Sequence, residues 1–420
     1  MKTIRFLFLL LIVILYERHM VVAQTFTTDE GEITIESMST DAQILNGAGG
    51  TTILKFKAKG KWILESDCDW MSVSPACGKS GKNTVIITTN SNLTGHDRTG
   101  QIIIDGNENQ TLTVCQRPYI FERKQVASGT VTNEVTLTYT DTQWNWIYPV
   151  LPYPKSNIYQ DIESVNTYSY TVYDCPDGIN SYIATNYNIM YLPLSGATVL
   201  KEDINATVYE VTAKLDMIDN IPPYDPNSDV CKKYLGKEKS NIIDPTHKTI
   251  KAVADTFWTE TKGDIISYAL KCYEWTATNI NYGKKNMGMF SIAELIKTKE
   301  GDCGNYASVF ISLLRAKGIP ARHIAMINPN SSSYHVTSEF YIPAYGWIPA
   351  DPTYKNANPK GNYFGKFTGD KYLVMSFGVN LTINGPMGND ITDLLQDYSC
   401  WYSWTTEGNF KFNHVFSKFR

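Results

Sequence analysis

Short runs in which apolar and polar residues alternate dominate the first part of the chain. Between about residues 29 and 117 these runs are rich in β-branched residues and are separated by Gly, Asn and Asp. Regular spacing of short strands between turn residues is typical of a β-sandwich. The pattern therefore predicts an all-β, immunoglobulin-like sandwich over residues 29–117. Its strand-like runs are 32–36, 52–56, 62–65, 84–88, 101–104 and 111–114.

A second β-rich region follows over residues 118–240. Alternation is clear at 134–139, 168–173 and 207–213. The proline-containing stretch 148–154 interrupts this pattern, and proline cannot donate to a β-ladder. We therefore expect 148–154 to be a loop or an edge strand, and a linker rich in proline to lead out of the region after residue 221.

Apolar residues recur at helical spacing from about residue 246 onward. Two helices are predicted near 246–258 and 265–279, and a shorter one over 291–297 with Ser291 as its N-cap. An apolar stripe then runs from Ala307 to Leu314 and ends at Lys317-Gly318, a typical helix stop. Buried strands are expected at 323–327 and 334–342. These elements predict an α+β domain over 245–385 and leave 386–420 as a C-terminal extension.

Composition and charge exclude some classes of partner. The 420-residue chain has 43% hydrophobic and 19% charged residues and a net charge of −4. These values are typical of a multidomain globular protein and give no argument for nucleic acid or an anionic membrane surface.

The start of the chain predicts a secretion signal over residues 1–23. Lys2 and Arg5 precede an apolar run from Phe6 to Tyr16, which is too short to span a bilayer comfortably. The next cysteine is Cys68, which argues against a lipid-anchored cysteine at the mature N-terminus. We expect a secreted or periplasmic protein without an integral membrane segment.

Eight cysteines occur, and an exported protein could pair some of them. Cys68 with Cys77 is the most local pairing, but the connectivity stays open. No CxxC and no zinc-like spacing occur, so the sequence implies no metal and no organic cofactor.

The candidate catalytic residues are Cys303, His335 and Asp351. Asp302-Cys303-Gly304 stands directly before the apolar stripe, so Cys303 is expected on the first turn of a buried helix. Backbone N–H groups and the positive end of the helix dipole favour a thiolate there and can contribute to an oxyanion hole. Gly301 and Gly304 are expected to keep bulk away from the sulfur.

His335 opens a predicted strand, and Asp351 closes the next apolar run, 346–351. If these form a hairpin centred near Pro343, the two residues face each other. A carboxylate can then orient the imidazole while its other nitrogen faces the thiol. His323 lies in an apolar strand and is expected to be structural, whereas His247 and His414 have no chemical neighbours in sequence. Asn281 and Tyr282 are alternative side-chain donors to an oxyanion.

These segments resemble the transglutaminase-like superfamily, which has a papain-like fold. The resemblance spans roughly 245–385 and rests on Gly301-Asp302-Cys303, on residues 313–322, on His335 with its following strand, and on residues 346–353. It implies that Cys303 is the nucleophile, His335 the general base and acid, and Asp351 the residue that orients the histidine. Val336-Thr337 departs from the aromatic residue that the family commonly places after the histidine.

The first β region is similar to the BACON domain of Bacteroidetes proteins. The similarity rests on Lys61-Trp62, the run 68–75, Gly78, Gly81, the run 97–102 and Val114-Cys115-Gln116. The family's suspected link to carbohydrate or mucin implies a glycan contact, and Trp62 and Trp70 are the candidates to stack on a sugar. Burial in the sandwich core is the commoner role of such tryptophans.

The sequence thus predicts an exported cysteine-dependent enzyme that attacks amides of protein or glycoprotein substrates. Hydrolysis, as a peptidase or amidase, is favoured over cross-linking. The alternative is a secreted or surface protein that binds carbohydrate or glycoprotein and has lost catalysis. The preceding β domains and Val336-Thr337 motivate this alternative, whereas the intact set of Cys303, His335 and Asp351 argues against it.

Overall fold

The computed structural model describes residues 25–28, 31–38, 44–105, 107–141, 143–184, 195–283, 288–368, 370–385, 388–406 and 408–420. The predicted secretion signal, 1–23, lies outside these residues. The chain divides into two compact units. One ends at Ile120 and includes Asp216–Asp225 and Ile342–Gly346, and the other comprises Phe121–Leu215, Pro226–Tyr341 and Trp347–Arg420.

The first unit contains two five-stranded sheets. Their orders are β1-β2-β4-β8-β6 and β3-β10-β9-β5-β7. The strands are β1 (Thr25–Thr28), β2 (Gly31–Met38), β3 (Ile44–Leu45), β4 (Gly50–Ala58), β5 (Trp62–Ser66), β6 (Met71–Ser74), β7 (Cys77–Gly78), β8 (Gly81–Thr89), β9 (Arg98–Ile104) and β10 (Asn107–Gln116). Alternate residues of β4 and β8 are buried, as the period of two predicts.

The two tryptophans of this unit serve its packing. Trp62 is 2% exposed and meets the ring of Phe56 edge to face at 4.9 Å, so its faces are not open to a sugar. Trp70 is partly buried against the same core, and the guanidinium of Arg98 lies over its ring at 4.4 Å. Packing therefore accounts for Trp62 and for much of Trp70.

Two further sheets form the β-rich part of the second unit. One has the order β13-β16-β11-β27, with β22 also pairing β16, and the other β14-β15-β12-β26. The strands are β11 (Phe121–Thr140), β12 (Gln143–Pro152), β13 (Gln160–Asn166), β14 (Thr171–Asp174), β15 (Ser181–Ala184), β16 (Gly196–Ala213), β22 (Lys366–Phe367), β26 (Ser399–Thr406) and β27 (Asn409–Phe416). Residues 399–416 thus add one strand to each sheet.

The sequence suggested that the proline-containing stretch 148–154 is a loop or an edge strand. This prediction is wrong, because β12 pairs with a strand on each side. Pro149 lies opposite Cys400 of β26, and Pro152 lies opposite Tyr182 of β15. The two ladders overlap only at Val150. Each proline therefore has a single partner strand, which removes the conflict with its missing N–H.

The helices and the remaining sheets make up the rest of the second unit. Its main sheet has the order β21-β20-β19-β23, and β17-β18 and β24-β25 are two-stranded. The helices are α1 (Asp229–Tyr234), α2 (Lys248–Glu260), α3 (Ile265–Asn279), α4 (Ile292–Thr298), α5 (Cys303–Arg315) and α6 (Pro352–Ala357). The strands are β17 (Asn281–Tyr282), β18 (Glu300–Gly301), β19 (Ala321–Asn328), β20 (Ser333–Ile342), β21 (Gly346–Ala350), β23 (Leu373–Phe377), β24 (Leu381–Gly385) and β25 (Gly388–Thr392).

Two amide side chains join the β-rich part to the edge strand β23. Gln160 binds both the N–H and the C=O of Val374, at 2.7 and 2.8 Å. Asn180 binds both backbone groups of Phe377, each at 2.8 Å. These side chains satisfy backbone groups that an edge strand would otherwise leave unpaired.

Cys68 and Cys77, the most local pair of cysteines, are not joined by a disulfide. In the part of the chain that the structure describes, no helix is long and apolar enough to cross a membrane.

Candidate active site

Cys303 is the first residue of α5, a helix that is buried from Gly304 to Arg315. Asp302 caps this helix, and its Oδ1 atom accepts the backbone N–H of Asn305 at 3.2 Å. The predicted stripe and the predicted stop both agree with the structure, since the helix ends at Arg315 and Gly318 has a φ of +73°. Cys303 itself is partly exposed, so its thiol is accessible at the start of a rigid helix.

Asn305 fastens the segment before the helix to its first turn, a role that the sequence did not indicate. Its side-chain N–H groups donate to Gly288 O and to Asp302 Oδ1, both at 2.8 Å, and its oxygen accepts from Phe290 N at 3.0 Å. Asp302 Oδ2 also accepts from Gly288 N at 3.1 Å. The chain on either side of Cys303 is thereby held in place.

The glycines near Cys303 act differently from the expectation. A Cβ at Gly301 would lie 2.6 Å from the Cβ of Asn305, so this glycine permits the close packing of Asn305 rather than clearing space at the sulfur. A Cβ at Gly304 would lie 2.9 Å from the sulfur of Met289, the flexible end of a side chain.

His335 lies in β20, Asp351 follows the end of the neighbouring strand β21, and their side chains meet. The Nε2 atom of His335 is 2.6 Å from Oδ2 of Asp351. Asp351 lies one residue beyond β21 and is the N-cap of α6, where its Oδ1 accepts from Tyr354 N at 3.0 Å. Helix capping therefore fixes the carboxylate that holds the imidazole.

The imidazole also interacts with the thiol of Cys303, which contributes to the pKa of His335. Because Nε2 is engaged by Asp351, Nδ1 is the ring nitrogen that is left for an interaction with Cys303. Burial alone would lower the pKa of His335, which is 6% exposed. The negative charge and hydrogen bond of Asp351, with a smaller contribution from Cys303, outweigh burial and raise this pKa well above its ordinary value.

Three further residues contact His335 and were not found from sequence. The rings of Tyr354 and Tyr372 pack against the imidazole, with centroids at 4.8 and 5.4 Å. Gln396 donates from its amide nitrogen to the carbonyl oxygens of His335 and Met326, at 2.7 and 2.8 Å. Of the three, only Tyr354 could have been placed near Asp351 from sequence. It follows Asp351 by three residues, a spacing that puts it in the first turn of a helix capped by Asp351.

Of the two alternative oxyanion donors, Tyr282 is the one with an interaction at the site. It stands opposite Gly301 in the parallel pair of β17 and β18, and it interacts electrostatically with both Cys303 and His335. Its side chain is half exposed, and burial, with the nearby Cys303, raises the pKa of its hydroxyl. Tyr282 therefore remains protonated and its hydroxyl can act as a hydrogen-bond donor.

His323, which was expected to be structural, and His247 and His414, which lacked chemical neighbours in sequence, have other surroundings. His323 is fully buried, and its Nε2 lies 3.1 Å from Ser308 Oγ and 3.2 Å from Gly304 O. Burial lowers its pKa to about 3, so it is neutral and supports the first turn of α5. His414 bridges Tyr334 and Asn133, and burial lowers its pKa to about 4. His247 occupies the N-cap position of α2.

Two family models match the chain. Residues 251–352 match the transglutaminase-like superfamily, and residues 60–117 match the BACON family, described as "Putative binding domain, N-terminal". The first match includes Cys303, His335 and Asp351, and the second includes Trp62 and Trp70.

Curated relatives match over short stretches. The chain is 37% identical over 81 residues to an uncharacterized protein, YebA, of Bacillus subtilis, a match to 16% of this chain and 11% of that protein. It is 36% identical over 75 residues to a protein-glutamine gamma-glutamyltransferase of Pseudomonas aeruginosa, covering 15% of this chain and 11% of that one. The chain thus spans about a tenth of the length of either relative.

One solved structure matches over a larger part of the chain. It is a crystal structure named "a Putative Cysteine Protease" from Cytophaga hutchinsonii, with 12% identity and a TM-score of 0.43. The match covers 70% of this chain and 92% of that one.

Proposed function

Because the chain contains a transglutaminase-like domain and a BACON domain, we propose that it is a cysteine-dependent enzyme that transfers acyl groups from amides. The single observation that carries this proposal is that His335, hydrogen-bonded to Asp351, also interacts with Cys303. A thiol at a helix start, a base in contact with it and a carboxylate that orients the base form the arrangement needed for nucleophilic catalysis.

In the proposed reaction, the sulfur of Cys303 attacks the carbonyl carbon of the amide. As the C–N bond breaks, the leaving nitrogen takes a proton from Nδ1 of the His335 imidazolium. Water then attacks the thioester and gives a proton to His335, which releases the carboxylic acid and regenerates the thiol. Asp351 keeps Nε2 occupied throughout, so the same nitrogen always faces the sulfur.

The oxyanion formed in each attack needs hydrogen-bond donors. The start of α5 offers backbone N–H groups that lack partners within a helix, and the hydroxyl of Tyr282 interacts electrostatically with Cys303. We assign the oxyanion hole to these two sources.

We favour hydrolysis of protein or glycoprotein substrates, because water is present at any accessible thioester. Transfer to an amine is the second candidate, since the Pseudomonas aeruginosa relative is named a glutamyltransferase. The basic and apolar start of the chain supports action outside the cytoplasm, and the N-terminal immunoglobulin-like sandwich is proposed to deliver the enzyme to glycans or glycoproteins.

The test uses purified full-length protein with casein and a dansylated amine. Hydrolysis releases new amino termini or ammonia without dansyl incorporation, whereas transfer labels the casein. Cys303→Ala and His335→Ala are expected to abolish either signal while retaining the circular dichroism of the wild type. Turnover that survives Cys303→Ala would refute the proposed mechanism.

A further inference from the structure

A pair of tyrosines packs against the imidazole of His335 from two different chain segments. Tyr354 belongs to α6, and its ring centroid lies 4.8 Å from that of His335 with 25° between the planes. Tyr372 directly precedes β23, and its ring lies at 5.4 Å and 29°. Both rings are therefore close to parallel with the imidazole and within the range in which a cation interacts with an aromatic face.

The hydroxyl groups of Tyr354 and Tyr372 have defined donor and acceptor roles. Tyr354 Oη donates to Oδ2 of Asp370 at 2.8 Å, and it lies 2.6 Å from Tyr372 Oη. A carboxylate accepts hydrogen bonds only, so Tyr354 uses its proton on Asp370 and accepts the proton of Tyr372. The side chain of Asn328, at the end of β19, holds the backbone carbonyl of Asp370, and Thr368 Oγ1 lies 3.2 Å from its carboxylate.

Tyr354 also contacts Asp351, the hydrogen-bond partner of His335. Its backbone N–H binds Oδ1 of Asp351, while Oδ2 of the same carboxylate binds His335. One residue thus fixes the carboxylate through its backbone and covers the imidazole through its ring. A displacement of Tyr354 would alter both partners of this hydrogen bond.

We propose that Tyr354 and Tyr372, joined to Asp370, form an aromatic clamp that positions the imidazole of His335 and stabilises its protonated form. The clamp comprises these three residues. The hydroxyl of Tyr354 shares its proton with the carboxylate of Asp370, which makes the face of the Tyr354 ring more negative. A more negative ring face favours a cation beside it. Tyr354 and Tyr372 act through His335 and are positioning residues. This inference rests on the proposed function of Cys303 and His335.

Other charged or titratable groups also face His335 and must be held constant in a test. Asp351 at the start of α6 is hydrogen-bonded to the imidazole, and Cys303 of α5 interacts with it. Tyr282 of β17 interacts with it electrostatically, and Lys366 of β22 lines the same small cavity as His335, Asp351 and Tyr372. The variants below leave all of these unchanged.

The test measures the rate at which iodoacetate alkylates Cys303 between pH 4 and 10, by peptide mass spectrometry of the full-length protein. Iodoacetate is an anion, so its reaction is fastest while the neighbouring imidazole carries a positive charge. The rate therefore falls when His335 loses its proton, and the falling limb of the profile reports the titration of His335.

Tyr354→Leu and Tyr372→Leu remove a ring each and are expected to move this falling limb to lower pH by about 0.5 to 1 pH unit. Tyr354→Phe keeps the ring but disconnects Asp370, so a smaller shift in the same direction is expected. Tyr363→Leu is the matched control, because its ring packs on Tyr354 at 5.4 Å without taking part in the clamp. If a leucine variant does not fold, the clamp is tested instead with Tyr354→Phe and the analogous Tyr372→Phe.

The possible results separate the two proposals. If the clamp variants fold and their falling limb coincides with that of the wild type and of Tyr363→Leu, the clamp is refuted. The proposed function of Cys303 is then not affected. A wild type whose labelling near pH 6 is slow and is not affected by His335→Ala would overturn both. A shift in the tyrosine variants but not in the control supports the clamp.

Discussion

One carboxylate, that of Asp351, serves the imidazole of His335 and the start of helix α6 at the same time. Its Oδ2 atom lies 2.6 Å from Nε2 of His335, and its Oδ1 atom accepts the N–H of Tyr354 at 3.0 Å. Both oxygens are therefore engaged, and the carboxylate cannot rotate without breaking one of the two bonds. The orientation of His335 is thus coupled to the formation of a helix.

Asp351→Asn tests this coupling. The two donors bind different oxygens of the carboxylate, and an amide replaces one of these oxygens with an NH₂ group that cannot accept, so in this orientation one of the two bonds is lost. We expect turnover, or the alkylation of Cys303 near pH 6, to fall about 10- to 100-fold, as for loss of a hydrogen bond to a charged group. Loss of the negative charge also lowers the pKa of His335, so activity should decline at a lower pH than in the wild type.

Asp351→Ala provides the comparison for this prediction. It removes the helix cap as well, which should cost about 1 kcal/mol of additional stability in urea denaturation. Equal activity and an unchanged pH profile in Asp351→Asn would show that the carboxylate does not orient the base.

Asn305→Ala should loosen the chain next to Cys303. The side chain of Asn305 is fully buried and makes hydrogen bonds to Gly288, Phe290 and Asp302. Removing it is expected to lower the free energy of unfolding by about 2 to 3 kcal/mol, at about 1 kcal/mol per hydrogen bond. Urea denaturation and the rate of Cys303 alkylation measure the two effects.

The control for this variant is Asn279→Ala, which removes an amide that donates to Trp275 and Thr278 of its own helix, α3. It should leave the reactivity of Cys303 unchanged. If Asn305→Ala loses no more stability than this control, the contacts around Gly288 do not hold the site.

Gln396→Ala should reduce activity from a position far away in sequence. Gln396 donates to the carbonyl oxygen of His335 at 2.7 Å and to that of its cross-strand partner Met326 at 2.8 Å. If loss of the hydrogen bond to His335 raises the activation free energy by about 1 kcal/mol, the rate of Cys303 alkylation should fall roughly fivefold. Asn389→Ala, an exposed position in the same C-terminal segment, is the control and should match the wild type.

Local patterns explain why parts of this structure could be predicted from sequence. Helix α5 follows from an apolar stripe, a capping Asp302 and a glycine stop, all within a short stretch. Ser291 caps α4 as expected, and its Oγ accepts from Glu294 N at 3.3 Å. Cys303, His335 and Asp351 could be proposed as site residues because each stands at the edge of such an element and within a family pattern.

Contacts between distant segments account for what could not be predicted. Gln160 meets Val374, Asn180 meets Phe377 and Gln396 meets His335, and no local periodicity marks an amide that binds a remote backbone. The strand β12 was misjudged for a related reason. Its prolines are acceptable because its two neighbours pair with different halves of it, which depends on the position of the C-terminal strand β26.

A buried carboxylate in the β-rich part predicts how stability depends on pH. Glu202 on β16 is fully buried, and its Oε1 accepts from Asn133 Nδ2 at 2.8 Å. Its Oε2 has no hydrogen-bond partner in the part of the chain that the structure describes. Burial raises the pKa of Glu202 from 4.5 to about 8, so the group is protonated in the folded protein at neutral pH.

The direction of the effect follows from proton linkage. Between pH 4.5 and about 8 the folded protein keeps a proton on Glu202 that the unfolded chain has released. Glu202 therefore makes the folded state less stable as pH rises through this window, by up to about 1.4 kcal/mol per pH unit. Glu202→Gln removes the titration while keeping an acceptor for Asn133. We expect it to match the wild type near pH 4.5 and to be more stable at pH 8.

Urea denaturation followed by tryptophan fluorescence at both pH values measures this difference. Glu163→Gln, an exposed glutamate on the neighbouring strand β13, is the matched control and should show no such change with pH. If the stability difference between Glu202→Gln and the wild type is the same at both pH values, Glu202 is ionised in the folded protein. In that case an additional polar group must reach its Oε2 atom, because an ionised carboxylate cannot remain buried without compensation.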